Sequence, residues 1–325
     1  MKTLSASLAI AGLCLGTALI AWFGAGNVLA GVLRVGWSGF GLLCLWQLVL
    51  FVLLGLAWDI IVPRRSRHLL VFVWGRMVRD AAINCLPFRQ LGGFVIGARA
   101  VALHGTGWPL ATASTVVDIT AEFIAQLAFT GIGLSVLIAR APRSPLAVPV
   151  EVGLGLAVAV AIGMIAAQKG AGSLFARIGR RIAGRRFGGA REGMALVQGE
   201  MMLIYGQSGR LLAAFFLHLL GWLGAAGAGW LAYHLLGVPI DFDDALAIES
   251  LVAAASAVAF LVPVNAGVQE AGYAGLGAIF GIPPELSLAV SLVRRARDLA
   301  LGVPILLVWQ LFELRRVKAG RAASA

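Results

Sequence analysis

Leu86-Pro87-Phe88-Arg89-Gln90-Leu91-Gly92-Gly93, running on to Ala102-Leu103-His104-Gly105, has a counterpart in the second half of the chain. That counterpart is Val262-Pro263-Val264-Asn265-Ala266-Gly267-Val268-Gln269-Glu270, running on to Ala278-Ile279-Phe280-Gly281. Pro87 to Gly105 and Pro263 to Gly281 are equally spaced. A long apolar segment follows each, and at one common offset each carries ionisable residues: Asp118 and Glu122 in the first, Arg294 and Asp298 in the second. Proline and glycine interrupt a helix, because one lacks an N–H and the other lacks conformational restraint. The chain therefore reads as two related units, each with a broken apolar hairpin and then a long helix carrying charges.

Outside these motifs the composition selects the solvent. Of 325 residues, 60% are hydrophobic and only 13% charged, and mean hydropathy is +0.92. A soluble domain has about a quarter of its residues charged, so most of this surface is expected to face a bilayer. About 20 apolar residues make one helical span. The net charge of +11 would suggest nucleic acid in a soluble protein. Here the basic residues sit between apolar runs, where they set orientation and meet anionic lipid head groups at the cytoplasmic face; no nucleic-acid partner is expected. Cys14, Cys44 and Cys85 lie in or beside apolar runs and read as buried hydrophobes rather than a disulfide or metal set. The Leu4–Phe23 run resembles a signal peptide, but it is of span length and is taken as an uncleaved anchor.

Working along the chain, spans are expected at about 4–24, 38–62, 109–139, 146–168, 210–237 and 285–314, with motif segments at 69–105 and 245–281. The basic loop Arg64–Arg67, the Gly/Arg-rich loop over 169–193 and the tail from Arg315 are expected inside, and the acidic Asp241–Asp244 loop outside. These placements agree only if each motif segment enters and leaves on one side. The expected architecture is thus an all-α polytopic membrane protein, residues 1–325 forming one membrane domain. It has about six transmembrane helices plus two re-entrant hairpins and both termini in the cytoplasm. Repeat 1 covers about 38–139, and repeat 2, inverted, about 210–314. Leu174, Ile178 and Ile182 share a helical stripe inside the basic loop, which reads as an interfacial helix or as topology-setting charge alone.

Charges in such a setting need partners. Asp118 and Glu122 stand four residues apart on one helix face, and Gln126 continues it. Arg294 and Asp298 share a face likewise, with Arg297 beside it. A charge at the bilayer centre costs about 2.5–3.5 kcal/mol on insertion scales. The economical arrangement pairs Arg294 or Arg297 with Asp118 or Glu122 across the two units, as a static ion network, as the wall of a polar cavity, or as both. Hairpin-tip residues Pro87, Arg89, Gln90, Gly92 and Gly93, with Pro263, Asn265, Gly267, Gln269 and Glu270, are placed to meet a polar ligand or to satisfy broken backbone. Arg76 and Asp80 read as a local pair, and Asp241–Asp244 as a helix cap. Gly221, Gly224, Gly227 and Gly229 read as a close helix-packing surface. No nucleophile elbow, P-loop, metal-ligand spacing or dinucleotide fingerprint is present, so no cofactor or metal is expected. Broken hairpins in corresponding positions of two halves are the sequence mark of a transporter's central site.

The Leu86–Gly93 motif, Val117-Asp118-Ile119-Thr120-Ala121-Glu122, Gly267–Gly272 and Arg294-Arg295-Ala296-Arg297-Asp298 together resemble the flippase-like transmembrane domain of the lysylphosphatidylglycerol synthase family. Within it, the likeness is to membrane proteins associated with hopanoid biosynthesis, the HpnL type. The resemblance covers nearly the whole chain. It implies a bacterial inner-membrane protein that moves lipid, with hopanoids or phospholipids as partners alongside components of hopanoid biosynthesis or transport. The soluble aminoacyl-transferase domain of full-length synthases is not expected here, and so neither is enzymatic activity. The rival expectations are a membrane-embedded lipid-modifying enzyme and a scaffold for a biosynthetic complex.

Overall fold

The computed structural model describes residues 25–63, 66–86, 89–142, 144–145, 147–182, 188–258 and 268–322. All regular structure among the described residues is helical. α1 is Ala25–Ile61, α2 Leu69–Cys85, α3 Arg89–Val101, α4 Trp108–Arg140 and α5 Ala147–Ile182. α6 is Gly188–Tyr205, α7 Ser208–Leu235, α8 Phe242–Val258, α9 Val268–Ile279 and α10 Pro284–Ala322. A π-helical stretch, Ala102–Thr106, follows α3. The first expected span, 4–24, lies outside the described residues.

Helices α1–α4 and α7–α10 pack reciprocally. α4 lies on α8 and α7, and α10 lies on α2 and α1, while α1 and α7 pack against each other. The turn that launches each long helix uses a glycine in the left-handed region: Gly105 (φ 99°) before α4 and Gly281 (φ 74°) before α10. Those are the two glycines equally spaced from Pro87 and Pro263, and residues with a Cβ rarely adopt such a φ. α5 and α6 stand outside this arrangement, packed on α4.

α1 and α7 run antiparallel: Leu235 lies beside Gly39, and Leu54 beside Gly221. A Cβ on Gly221, Gly224 or Gly227 would stand 2.6, 2.5 or 3.0 Å from Leu54, Leu50 or Trp46, so the glycine face of α7 lets the two helices close up. Trp46 Nε1 donates to Gly224 O at 2.8 Å across the same seam. α2 and α3 likewise form an antiparallel pair, in which a Cβ on Gly97 would meet Arg79 Cβ at 2.8 Å. In the second unit Gly272 of α9 faces Val252 of α8.

Contacts fix which loops share an end. Arg210 Nη1 donates to Val62 O, Arg316 Nη2 donates to Leu103 O, and Val62 and Val101 share one apolar cluster, so the start of α7, the ends of α1 and α3 and the C-terminal part of α10 lie together. At the opposite end Arg140 meets Asp241 at 3.1 Å and Asp244 at 3.5 Å. The α2–α3 pair thus opens toward the first end and the α8–α9 pair toward the second.

The polarity is that of a protein solvated by lipid. Leu45, Val49, Val52, Val152, Leu156, Leu212 and Phe216 are exposed, whereas Arg76, Arg79, Asp118, Glu249 and Arg297 are buried. Large apolar side chains exposed in this number are rare in soluble monomers. Four helical stretches among the described residues are long and apolar enough to cross a membrane: Leu33–Ile61, Trp108–Arg140, Val148–Gln168 and Ser208–Leu235. α10 has the length, at 39 residues, but holds Arg294, Arg295, Arg297 and Asp298 within about one turn.

Within the basic segment 169–193, where the sequence offered an interfacial helix or topology-setting charge alone, the backbone is helical over most of its described residues. α5 runs on to Ile182 and α6 starts at Gly188. α6 went unread in the sequence because its apolar residues are spread around the helix among glycines. It is tied down by Gln198 Nε2 donating to Gln168 O at 3.0 Å and by Tyr205 OH donating to Gln168 Oε1. Gln168 in turn donates to Thr120 on α4 at 2.9 Å.

Candidate functional site

A cavity of about 370 Å³ lies between the two four-helix units, within the range of about 300–1,000 Å³ typical of ligand pockets. Its charged wall comes from both units: Arg76, Arg79, Asp80 and Glu122 from the first, Glu249, Arg294, Arg297 and Asp298 from the second. Phe94, Phe123, Phe129, Trp222 and Tyr273 supply aromatic surface, and Gln126 and Gln269 neutral polar groups.

In the first unit α2 presents Arg76, Arg79 and Asp80 on one face, and α4 presents Asp118 and Glu122 one turn apart. Arg76 grips Glu122 with both terminal nitrogens, at 2.9 and 2.7 Å, and donates from Nε to Asp80 at 2.9 Å. Arg79 donates to Asp118 and to Glu122, each at 2.7 Å. Its Nε lies 3.6 Å from Asp80. The Arg79 guanidinium also sits 5.4 Å from the Trp58 ring centroid and 5.9 Å from that of Phe94. Behind this wall the fully buried His218 of α7 contacts Asp118 at 2.9 Å. Bidentate, charge-assisted bonds of this kind are strong and geometrically specific.

The second unit is built more loosely. Arg294 Nη1 lies 2.8 Å from Glu249 Oε1 and donates to Ala225 O at 3.2 Å. Tyr273 OH donates to the same Glu249 oxygen at 2.6 Å. Gly229 of α7 leaves room for the Glu249 carboxylate, which a Cβ there would strike. Arg297 donates from Nε and Nη2 to one oxygen of its neighbour Asp298, at 3.1 and 2.7 Å. Arg295 and Glu270 pair at 2.8 Å.

Of the residues singled out in the sequence, Glu122, Gln126, Arg294, Arg297, Asp298 and Gln269 line this cavity. Asp118 stands behind it, holding Arg79. Glu270 is engaged with Arg295. Gly92 and Gly93 lie on α3, where a Cβ at Gly93 would come within 2.9 Å of Arg79 O. Pro87, Pro263, Asn265 and Gly267 lie outside the described residues, and Arg89 and Gln90 are described in backbone only.

The expected pairing across the units does not occur. Asp118 and Glu122 are neutralised by Arg76 and Arg79, and Arg294 by Glu249. The long arginine side chains reach across the cavity: Asp118 and Glu122 of α4 meet arginines of α2, and Arg294 of α10 meets Glu249 of α8, although each long helix packs its backbone on the other unit's hairpin. Neutral bonds do cross, as Gln126 Nε2 donates to Ala253 O at 3.2 Å. Arg76–Asp80 is indeed a local pair, but Arg76 also binds Glu122. Sequence reasoning missed Glu249, Tyr273, Arg79 as the central cation, and His218. Glu249 was visible as a lone acid in Ala245–Val258, an otherwise uncharged run. His218 carried no comparable signal.

A lipid-solvated helical bundle with apolar exterior and a charged internal cavity is a polytopic membrane protein. Residues 6–305 match the model of the lysylphosphatidylglycerol synthase TM region, and the chain belongs to that family. Comparisons with curated proteins and with solved structures found no match.

Proposed function

We propose that this protein moves a membrane lipid within or out of the bacterial inner membrane, in the manner of a flippase. The observation that carries this reading is the cavity itself, walled by charge from two reciprocally packed units. Such charge is costly in lipid and is retained where it handles a polar ligand. In this reading about six helices span the bilayer, and the α2–α3 and α8–α9 pairs are re-entrant hairpins opening to opposite faces. The prolines and glycines that the sequence places at the hairpin tips require shelter by protein or a wet cavity. The basic end faces the cytoplasm together with both termini, by the distribution of Arg and Lys. Hopanoids are the candidate cargo suggested by the family likeness, with another polycyclic lipid or a phospholipid as the alternative. The same end would meet anionic lipid heads and components of hopanoid biosynthesis. The protein is proposed to do no covalent chemistry on its cargo.

The test is lipid movement in liposomes containing the purified protein. Wild type should expose labelled inner-leaflet lipid to an external quencher, and Glu122→Gln and Arg297→Gln should abolish this while still inserting. Unchanged movement in both variants would refute the reading. Chemically altered lipid in the wild-type vesicles would favour an enzyme, and intact, unmoved lipid a scaffold.

A further inference from the structure

The two walls of the cavity differ in what they leave available to a ligand. On the first wall most guanidinium donors are committed: Arg76 uses Nε, Nη1 and Nη2 on carboxylates, and Arg79 uses Nη1 and Nη2, while its buried Nε stands 3.6 Å from Asp80 without a hydrogen bond among the described residues. Three carboxylates, Asp80, Asp118 and Glu122, gather around these two cations. Asp80 and Glu122 keep 15% and 20% side-chain exposure and line the cavity. This wall has acceptor capacity to offer and little donor capacity.

The second wall also holds carboxylates, Glu249 and Asp298, but its guanidinium groups are less fully used. Arg297 spends Nε and Nη2 on a single Asp298 oxygen. Arg294 spends Nη1 on Glu249 and a backbone carbonyl. Arg297 Nη1 and Arg294 Nη2 make no hydrogen bond among the described residues, and both arginines line the cavity. Two guanidinium groups with unspent N–H donors lining one cavity suit phosphate oxygens.

We infer that the cavity takes a zwitterionic lipid head group, with a phosphate ester against Arg294 and Arg297 of α10 and a primary ammonium against Asp80 and Glu122: a phosphoethanolamine-type head. Four arginines and four carboxylates line the cavity, so a net charge brought into it would have no surplus of the opposite sign to meet. A buried charge without compensation is expensive. A zwitterion adds no net charge and satisfies both walls. An uncharged polyol would satisfy neither set of groups fully, and a purely anionic head would leave the acidic wall facing a like charge. This inference rests on the lipid-handling reading and chooses a phospholipid among its candidates.

The experiment offers detergent-purified protein an equimolar mixture of phosphatidylethanolamine, phosphatidylglycerol and a hopanoid polyol, and reads the retained lipid by native mass spectrometry. Phosphatidylethanolamine should be retained at least about tenfold over either rival, a preference of about 1.4 kcal/mol. Asp80→Asn should level the two phospholipids, and Arg297→Gln should lose both. Equal or better retention of phosphatidylglycerol or the hopanoid by wild type would overturn the inference, whatever the variants do. Soluble glycerophosphoethanolamine should fail to displace the lipid at equal concentration; displacement would identify a soluble solute instead and overturn the lipid assignment. Retention of phosphatidylethanolamine without movement in liposomes would sink the transport proposal and uphold this one. Movement of phosphatidylglycerol in preference would do the reverse.

Discussion

The α1–α4 and α7–α10 units share a scaffold and differ in electrostatics. Each has a long helix, an antiparallel helix pair and a second long helix launched from a left-handed glycine, and each packs its last helix on the other's hairpin. Yet the first unit locks two arginines among three carboxylates, while the second holds Arg294 and Arg297 by fewer bonds. Among the described residues, every carboxylate–guanidinium pair inside the cavity stays within its own unit. Ion pairs between the units occur at the two ends, Arg99–Glu313 and Arg140–Asp241. The difference teaches that one unit is built to hold its shape and the other to keep donors available. Movement of one unit against the other would also leave the central ion pairs unbroken.

The sharpest way to break this comparison is to remove one cation from each wall and follow unfolding in detergent. Arg79→Met should cost about 3–5 kcal/mol, because it takes the only arginine from the fully buried Asp118, leaving it His218 alone, and one of the two from Glu122. Glu249→Gln should cost less, about 1–3 kcal/mol, because the amide oxygen still accepts from Tyr273 and Arg294 keeps contact with the cavity. A larger loss for Glu249→Gln than for Arg79→Met would invert the assignment of rigid and open walls. Asp241→Asn, at the end of the bundle, should shift stability by less than about 1 kcal/mol. Asp241 and Arg140 are exposed by 72% and 47%, where water screens the pair. A shift as large as that of Glu249→Gln would mean that the end contacts, not the cavity wall, hold the units together.

Much of this scaffold was legible in the chain. The equal spacing of Pro87–Gly105 and Pro263–Gly281 marks the two turns, and the long helices begin three residues beyond each glycine, at Trp108 and Pro284. The glycine run in α7 also announced a close helix-packing surface, which α1 occupies. Pairing was not legible. Sequence spacing shows that Asp118 and Glu122 share a face, but the choice between Arg79 and Arg294 as their partner depends on how α2 and α10 approach α4. That approach is a tertiary fact. Glu249 escaped notice because a lone acid has no periodicity to reveal its face. α6 escaped because neither its composition nor its pattern separates it from the adjoining loop.

The central claim is a polar, water-reachable cavity inside a lipid-solvated bundle. Its most direct measurement is labelling with a membrane-impermeant maleimide in a background in which Cys14, Cys44 and Cys85 are replaced by alanine. Gln126→Cys and Gln269→Cys, on the cavity wall, should react, whereas Leu156→Cys, 67% exposed on the apolar face of α5, should not. If both wall cysteines resist the reagent as Leu156→Cys does, and yield only to a lipid-soluble one, no such cavity exists in the membrane.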